Sequence, residues 1–192
     1  ARTLSEAMAA ARDFAAPALN LAMADPDRVQ MKVIGRAPRR DARHQSRGRI
    51  PSPGWLEADR WQGWREYDAL PLFEADRSGI IGNTNNKTVD TDFPDHLSYH
   101  WGDTQRIQRW KRLMQSREVH TRESFIEVQN DMVSPAARTL LPLVGADLWF
   151  TGEAAPDGTP ERQRQRALSL LAEWNGEMNE HLPEPLIYYA WM

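Results

Sequence analysis

Past an opening helical stretch, the apolar residues of this chain change their spacing near residue 101, and that change limits what it can fold into. Before it, hydrophobic runs are short and broken by Pro, Gly and Asn; after it, they recur at three- and four-residue intervals. Short strands followed by helices read as an α+β chain. At 192 residues, with 41% hydrophobic and 27% charged residues, one domain with a sizeable core is expected: a strand- and loop-rich part over 1–101 and a helical part over 102–192.

The chain opens on a predicted helix. Thr3 and Glu6 have capping-box spacing, Leu4, Met8, Ala11 and Ala15 line one face, and Pro17 is expected to stop it. Asn20–Ala24 and Val29–Ile34 predict two strands joined through Asp25-Pro26-Asp27-Arg28, a hairpin. Residues 35–77, rich in Pro, Gly and Trp, read as one long irregular segment pinned to a surface. Ser78–Thr84 reads as a short strand. Beyond Gly102, Ile107, Trp110, Leu113 and Met114 make one helical stripe, Thr121 caps a helix with Phe125 and Val128 facing in, and Ser134-Pro135 opens a third. Thr151–Thr159 reads as a surface loop, and Arg162–Trp174 as a fourth helix. The terminal run Leu186–Met192 is apolar, which predicts an end that was cut or that docks into a missing part.

Zero cysteines exclude disulfides, thiolate nucleophiles and Cys-ligated zinc. Runs such as Leu140–Val144 are far too short to span a bilayer, so no membrane is expected. Net charge is -3, but residues 1–50 carry ten Lys/Arg against five Asp/Glu. Their basic part is Arg36, Arg39, Arg40, Arg43, Arg47 and Arg49. No nucleic-acid motif accompanies it, so a solvated, ion-paired loop is expected rather than a nucleic-acid surface. The five histidines lack metal-ligand spacing, and the common nucleotide, hydrolase and zinc-protease motifs are absent.

Two features carry possible chemistry. Asn83-Thr84-Asn85-Asn86 is ordinary turn chemistry, yet an Asn amide fixed at a strand end is also a neutral donor for an oxyanion. Arg106, if Asp103 caps the helix, sits in its first turn. A cation there opposes the helix dipole, at a cost on the order of a few tenths of a kcal/mol.

The stretch Gly79-Ile80-Ile81-Gly82-Asn83-Thr84-Asn85-Asn86, then Asp92-Phe93-Pro94, then Trp101-Gly102-Asp103-Thr104-Gln105-Arg106-Ile107 resembles the penicillin acylase family. That family reads N-W-N-N, an aromatic-Pro pair and W-G-x-x-x-R opening a helix. Pro17, Asn20, Ala24-Asp25 and Gly35-Arg36-Ala37-Pro38-Arg39-Arg40 resemble its upstream segments. Phe125–Asp131 and Ala136–Leu143 resemble its helical region, so the likeness covers most of residues 1–145.

The resemblance implies part of the αββα fold of N-terminal-nucleophile hydrolases: an internal piece of the β-chain of a self-cleaving precursor. It implies hydrolysis of linear amides, of β-lactam side-chain or N-acyl homoserine lactone type, through an acyl-enzyme on an N-terminal serine. Asn85 matches the side-chain oxyanion donor and Arg106 the arginine that organises the active site. A structural calcium ion would draw on Asp95, with a gap needed around Phe93-Pro94; no organic cofactor is implied. The partners implied are a small amide substrate, the α-chain and the rest of the β-chain. The location implied is periplasmic or secreted. Thr84 departs from the usual tryptophan and alters the pocket wall. Residue 1 is Ala, so the nucleophile is expected upstream and the chain alone is expected to be inactive. A second reading is a non-catalytic module holding an anionic partner through the Arg36–Arg49 cluster.

Overall fold

The computed structural model describes residues 1–75, 77–148 and 153–192, without the side chains of 146–148. They fall into two units, Ala1–Thr104 and Gln105–Met192.

The first unit opens on α1 (Leu4–Ala11), whose N-cap Thr3 accepts from the Glu6 backbone N–H. Glu6 Oε2 accepts in turn from Arg2 N at 2.6 Å, one residue beyond the reciprocal bond of a full capping box. The helix ends well before Pro17, so Ala15 lies outside it, contrary to the expected face. The predicted hairpin forms as β1 (Leu19–Ala24) and β2 (Val29–Ile34), in register from Leu19 opposite Ile34 to Ala24 opposite Val29. Asp25 makes the turn, its Oδ1 accepting from the N–H groups of Asp27 and Arg28 at 3.0 and 2.8 Å.

Of the segment 35–77, residues 35–75 are more ordered than its composition predicts. They contribute β3 (Pro38–Arg40), β4 (Trp61–Trp64) and β5 (Leu72–Glu74). Segments of three or four residues are too short to display a period of two. β5 completes a sheet of order β1-β2-β5, and β3 and β4 pair as a separate antiparallel ribbon. β2 is therefore central and buried from Gln30 to Ile34, including Lys32, whose Nζ donates to Leu70 O at 2.6 Å. Burial lowers the Lys32 pKa. Met31, Val33, Ile34 and Leu70, with Leu4 and Met23, form the core of this unit.

The loop between β3 and β4 is organised from inside by His44 and Asp59. His44 Nδ1 lies 3.0 Å from Asp59 Oδ1, and both side chains are almost wholly buried. The same oxygen accepts from Gln45 N at 2.7 Å. The expected strand over Ser78–Thr84 does not form: residues 77–78 make a turn and 79–83 run without strand pairing.

Gly35 ends β2 at φ +98°, and a Cβ there would lie 2.8 Å from Ala18 Cα and 3.2 Å from Pro17 O. These are backbone atoms that cannot swing aside. Gly35→Ala is expected to cost about 2–4 kcal/mol, from left-handed strain plus the collision. A urea midpoint equal to wild type would show that the backbone yields more easily than this geometry allows.

The second unit contains α2 (Gln105–Gln115), α3 (Arg122–Gln129), α4 (Pro135–Leu148), α5 (Pro160–Glu173) and α6 (Pro183–Trp191). The α2 stripe forms as expected, with Ile107 buried and Trp110, Leu113 and Met114 half-buried. Thr121 and Ser124 make a full capping box on α3. Phe125, expected to face in, is 52% exposed, and Ser124 is the buried residue of that turn. Its hydroxyl lies 3.1 Å from His120 Nδ1, while His120 Nε2 lies 2.8 Å from Met114 O. The core is Ala137, Leu171 and Tyr188, flanked by Leu141, Trp174, Met178 and Ile187. The apolar run at 186–192 is thus largely helix α6. Of the expected loop Thr151–Thr159, residues 151 and 152 lie outside the described residues; the remainder is irregular and carries a turn. Among the described residues, no helix is long and apolar enough to cross a membrane.

Candidate active site

The Asn83–Asn86 segment is a turn in which side chains bond the segment's own backbone and one another. Asn83 Oδ1 accepts from the Asn85 backbone N–H at 2.9 Å and from Asn20 Nδ2 on β1 at 3.0 Å. Asn83 Nδ2 donates to Asn86 O and to Asn86 Oδ1, both at 3.1 Å. Asn86 Oδ1 also accepts from Thr84 N at 3.1 Å, and Asn86 Nδ2 donates to Lys87 O at 3.1 Å. The Asn86 amide is therefore spent on holding the turn.

Asn85 takes the left-handed conformation, φ +68°, which Asn tolerates better than most residues. Its carbonyl accepts from Gly102 N at 2.7 Å, beside an isolated parallel bridge between Asn86 and Gly102. A Cβ on Gly102 would sit 3.0 Å from Asn85 O, so a larger residue there would push the two backbones apart by a few tenths of an ångström. Two backbone hydrogen bonds thus fix the base of the Asn85 side chain.

Asn85 lines a cavity of about 500 Å³ against the face of the β1–β2 hairpin. Leu19, Ala22, Met31, Val33, Pro38 and Leu97 make it largely apolar, with Trp101 in the wall and Asn20, Asn83, Thr88 and Ser98 as polar groups. Trp101 is held by its indole N–H donating to Ser98 O at 2.9 Å. Arg36 is the one charged residue in the lining, and no carboxylate is among them. A neutral amide donor held in such a wall is of the kind that stabilises negative charge developing during a reaction.

Asn20 belongs to this site and was visible in sequence only as part of a family-like run. Its partner Asn83 lies 63 residues away, and no periodicity announces such a contact. Arg106 is the second residue of α2 and belongs to the second unit. Asp95 is exposed; its N–H donates to Asp92 O and its carbonyl accepts from Arg65 Nη1 at 2.7 Å. Asp90 is paired with Lys87. Among the described residues, no three His, Asp or Glu come together as metal ligands. Asp90, Asp92 and Asp95 are therefore not gathered into a cluster of carboxylates.

The arginine cluster is engaged within the first unit. Arg36 lies over Trp64, Arg47 over Phe93 and Arg49 over Tyr99, Arg39 donates to Gln62 O, and Arg43 pairs with Asp41. That pairing lowers the Asp41 pKa to about 2. Arg40 lies beside Gly48, with its Nε and Nη1 buried and without a hydrogen-bond partner among the described residues. Ser46, His44 and Asp59 have the residue types of a charge relay but not its geometry. Ser46 Oγ, at 3.4 Å, and Asp59 Oδ1 both address Nδ1, whereas a relay needs serine and carboxylate on opposite ring nitrogens.

A model of the family described as Penicillin amidase matches residues 1–192. Acyl-homoserine lactone acylase QuiP of Pseudomonas aeruginosa is 28% identical over 196 residues, taking in 100% of this chain and 23% of that protein. The protein of the same name from Pseudomonas putida is 29% identical over 177 residues, covering 90% of this chain and 21% of its own. The chain therefore spans less than a quarter of the length of these relatives. The solved structure of a thermostable penicillin G acylase from Alcaligenes faecalis superposes with a TM-score of 0.68 at 21% identity, over 100% of this chain and 34% of that one. That likeness is one of fold.

Proposed function

The chain belongs to the penicillin amidase family, and from that membership we propose that the intact protein is an amidohydrolase to which this chain contributes the oxyanion-stabilising Asn85. The chain has the α+β character of part of an N-terminal-nucleophile hydrolase. The observation that carries the reading is Asn85 itself, an amide on a doubly pinned backbone in the wall of a largely apolar cavity.

A serine outside these residues attacks the amide carbon of the substrate, and the carbonyl oxygen gains nearly a full negative charge. The Asn85 amide N–H donates to that oxygen. Because the donor is already oriented, little solvent has to reorganise as the charge develops. Collapse expels the amine and leaves an acyl-enzyme that water hydrolyses. Asn86, committed to the turn, takes no part in binding the oxyanion. By its match to the family's motif, Arg106 is the arginine that organises the active site, and an ammonium cannot reproduce the fork of its planar guanidinium. The substrates are linear amides of N-acyl homoserine lactone or β-lactam side-chain type, and the remainder of the precursor completes the pocket.

Incubating the intact protein with acyl-homoserine lactones and with phenylacetyl amides is expected to release the free acid. Arg106→Lys is expected to lower kcat/KM by about tenfold or more. No acid release from either class would overturn the reading.

A further inference from the structure

We infer that Asn20 and Asn83 are positioning residues that aim Asn85, an inference resting on the reading of Asn85 as the oxyanion donor. The turn carrying Asn85 has no regular strand pairing of its own, so something else must hold it to the rigid part of the unit. The Asn20 amide does this. Asn20 lies on β1, whose pairing with β2 runs over the whole of Leu19–Ala24. Backbone pairing anchors Asn20 whatever its side chain, and Asn20 Nδ2 then donates across to Asn83 Oδ1 at 3.0 Å.

Asn83 transmits this anchor in only one orientation. Its oxygen receives two donors, Asn20 Nδ2 and Asn85 N–H, while its nitrogen faces two acceptors, Asn86 O and Asn86 Oδ1. Turning the amide over would set donor against donor and acceptor against acceptor at all four contacts. The Asn85 N–H is thereby pinned to a group that is itself pinned to the sheet. The second clamp, Gly102 N–H on Asn85 O, holds the other side of the same residue. Together they fix both peptide groups flanking the Asn85 Cα. A donor displaced by about an ångström loses on the order of a hundredfold in rate, so an anchor of this kind is read out in catalysis.

The test uses the intact protein, with kcat normalised to the acyl-enzyme burst so that misfolded molecules are not counted. Asn20→Leu keeps the strand but removes the donor. It is expected to lower kcat about 10- to 100-fold with KM nearly unchanged and the burst amplitude intact. Asn20→Gln, which keeps an amide donor on a longer stem, is expected to recover most of that loss. Asn83→Leu removes both links and is expected to be at least as damaging as Asn20→Leu. Asn85→Gly, measured alongside, separates the two ideas. If it is harmless, the oxyanion reading falls and this inference falls with it. If it abolishes activity while Asn20→Leu keeps wild-type kcat, the positioning role alone is overturned. A raised KM with unchanged kcat for Asn20→Leu would also overturn it, because Asn20 would then be a substrate contact.

Discussion

Asn85→Gly in the intact protein is expected to lower kcat by about two to three orders of magnitude, roughly 3–4 kcal/mol of transition-state stabilisation, with KM little changed. Glycine is the informative replacement because Asn85 sits at φ +68°. Glycine accepts that backbone freely, so what it removes is the amide alone. Asn85→Ala would add left-handed strain of about 1–2 kcal/mol and confuse a structural loss with a chemical one. Asn86→Ala is the contrasting control. Its amide accepts from Asn83 and Thr84 and donates to Lys87 O, so its loss should lower thermal stability more than kcat at the temperature of assay. If Asn85→Gly keeps near wild-type kcat while Asn86→Ala collapses it, the assignment is one residue out of register. If both keep it, Asn85 does not bind the oxyanion.

The second large effect is on stability and lies far from the cavity wall. Asp59→Ala is expected to cost about 2–5 kcal/mol, because it removes the acceptor shared by Gln45 N–H and His44 Nδ1 inside the loop between β3 and β4. Each buried partner left without its hydrogen bond costs about 1–3 kcal/mol. Asp59→Asn keeps an oxygen for Gln45 and should cost distinctly less. Urea unfolding followed by tryptophan fluorescence reads this directly, since Trp55, Trp61 and Trp64 flank or lie within the region. A midpoint for Asp59→Ala equal to wild type would mean that the loop is held by its rim and not by this pair.

What could be read from the residues was local. The hairpin followed from two short runs joined by the turn-like Asp25-Pro26-Asp27-Arg28, and the helix starts from Thr3, Thr121 and Ser134-Pro135, because caps and turns are decided by neighbours within a few residues. The three short strands β3, β4 and β5 escaped detection because pairing across the fold, not their own pattern, defines them. Phe125 was misplaced for a similar reason. Helical spacing says that residues share a face, not which face finds a partner, and here the capping Ser124 took the interior. The turn at Asn83–Asn86 was legible as a candidate site through its composition and its family likeness. The Asn20 anchor and the Gly102 clamp were not, since both join positions that only the folded chain brings together.

The Gly102 clamp has a consequence for how this region tolerates change in length. Because Asn85 O and Gly102 N–H are bonded directly, the chain between them leaves and returns at one point, so residues 86–101 hang from the scaffold as a closed loop. Its return half is tied in, with Leu97, Ser98 and Trp101 in the cavity wall and His96 stacked on Tyr99. Its tip, around Asp90, Thr91 and Asp92, is exposed. Residues gained or lost at that tip alter only the circumference of a loop whose two ends stay fastened, and doubling a flexible loop costs only about 0.6 kcal/mol. The gap that the family resemblance implies near Phe93-Pro94 falls in this stretch, where a change in length is expected to leave Asn85 in place.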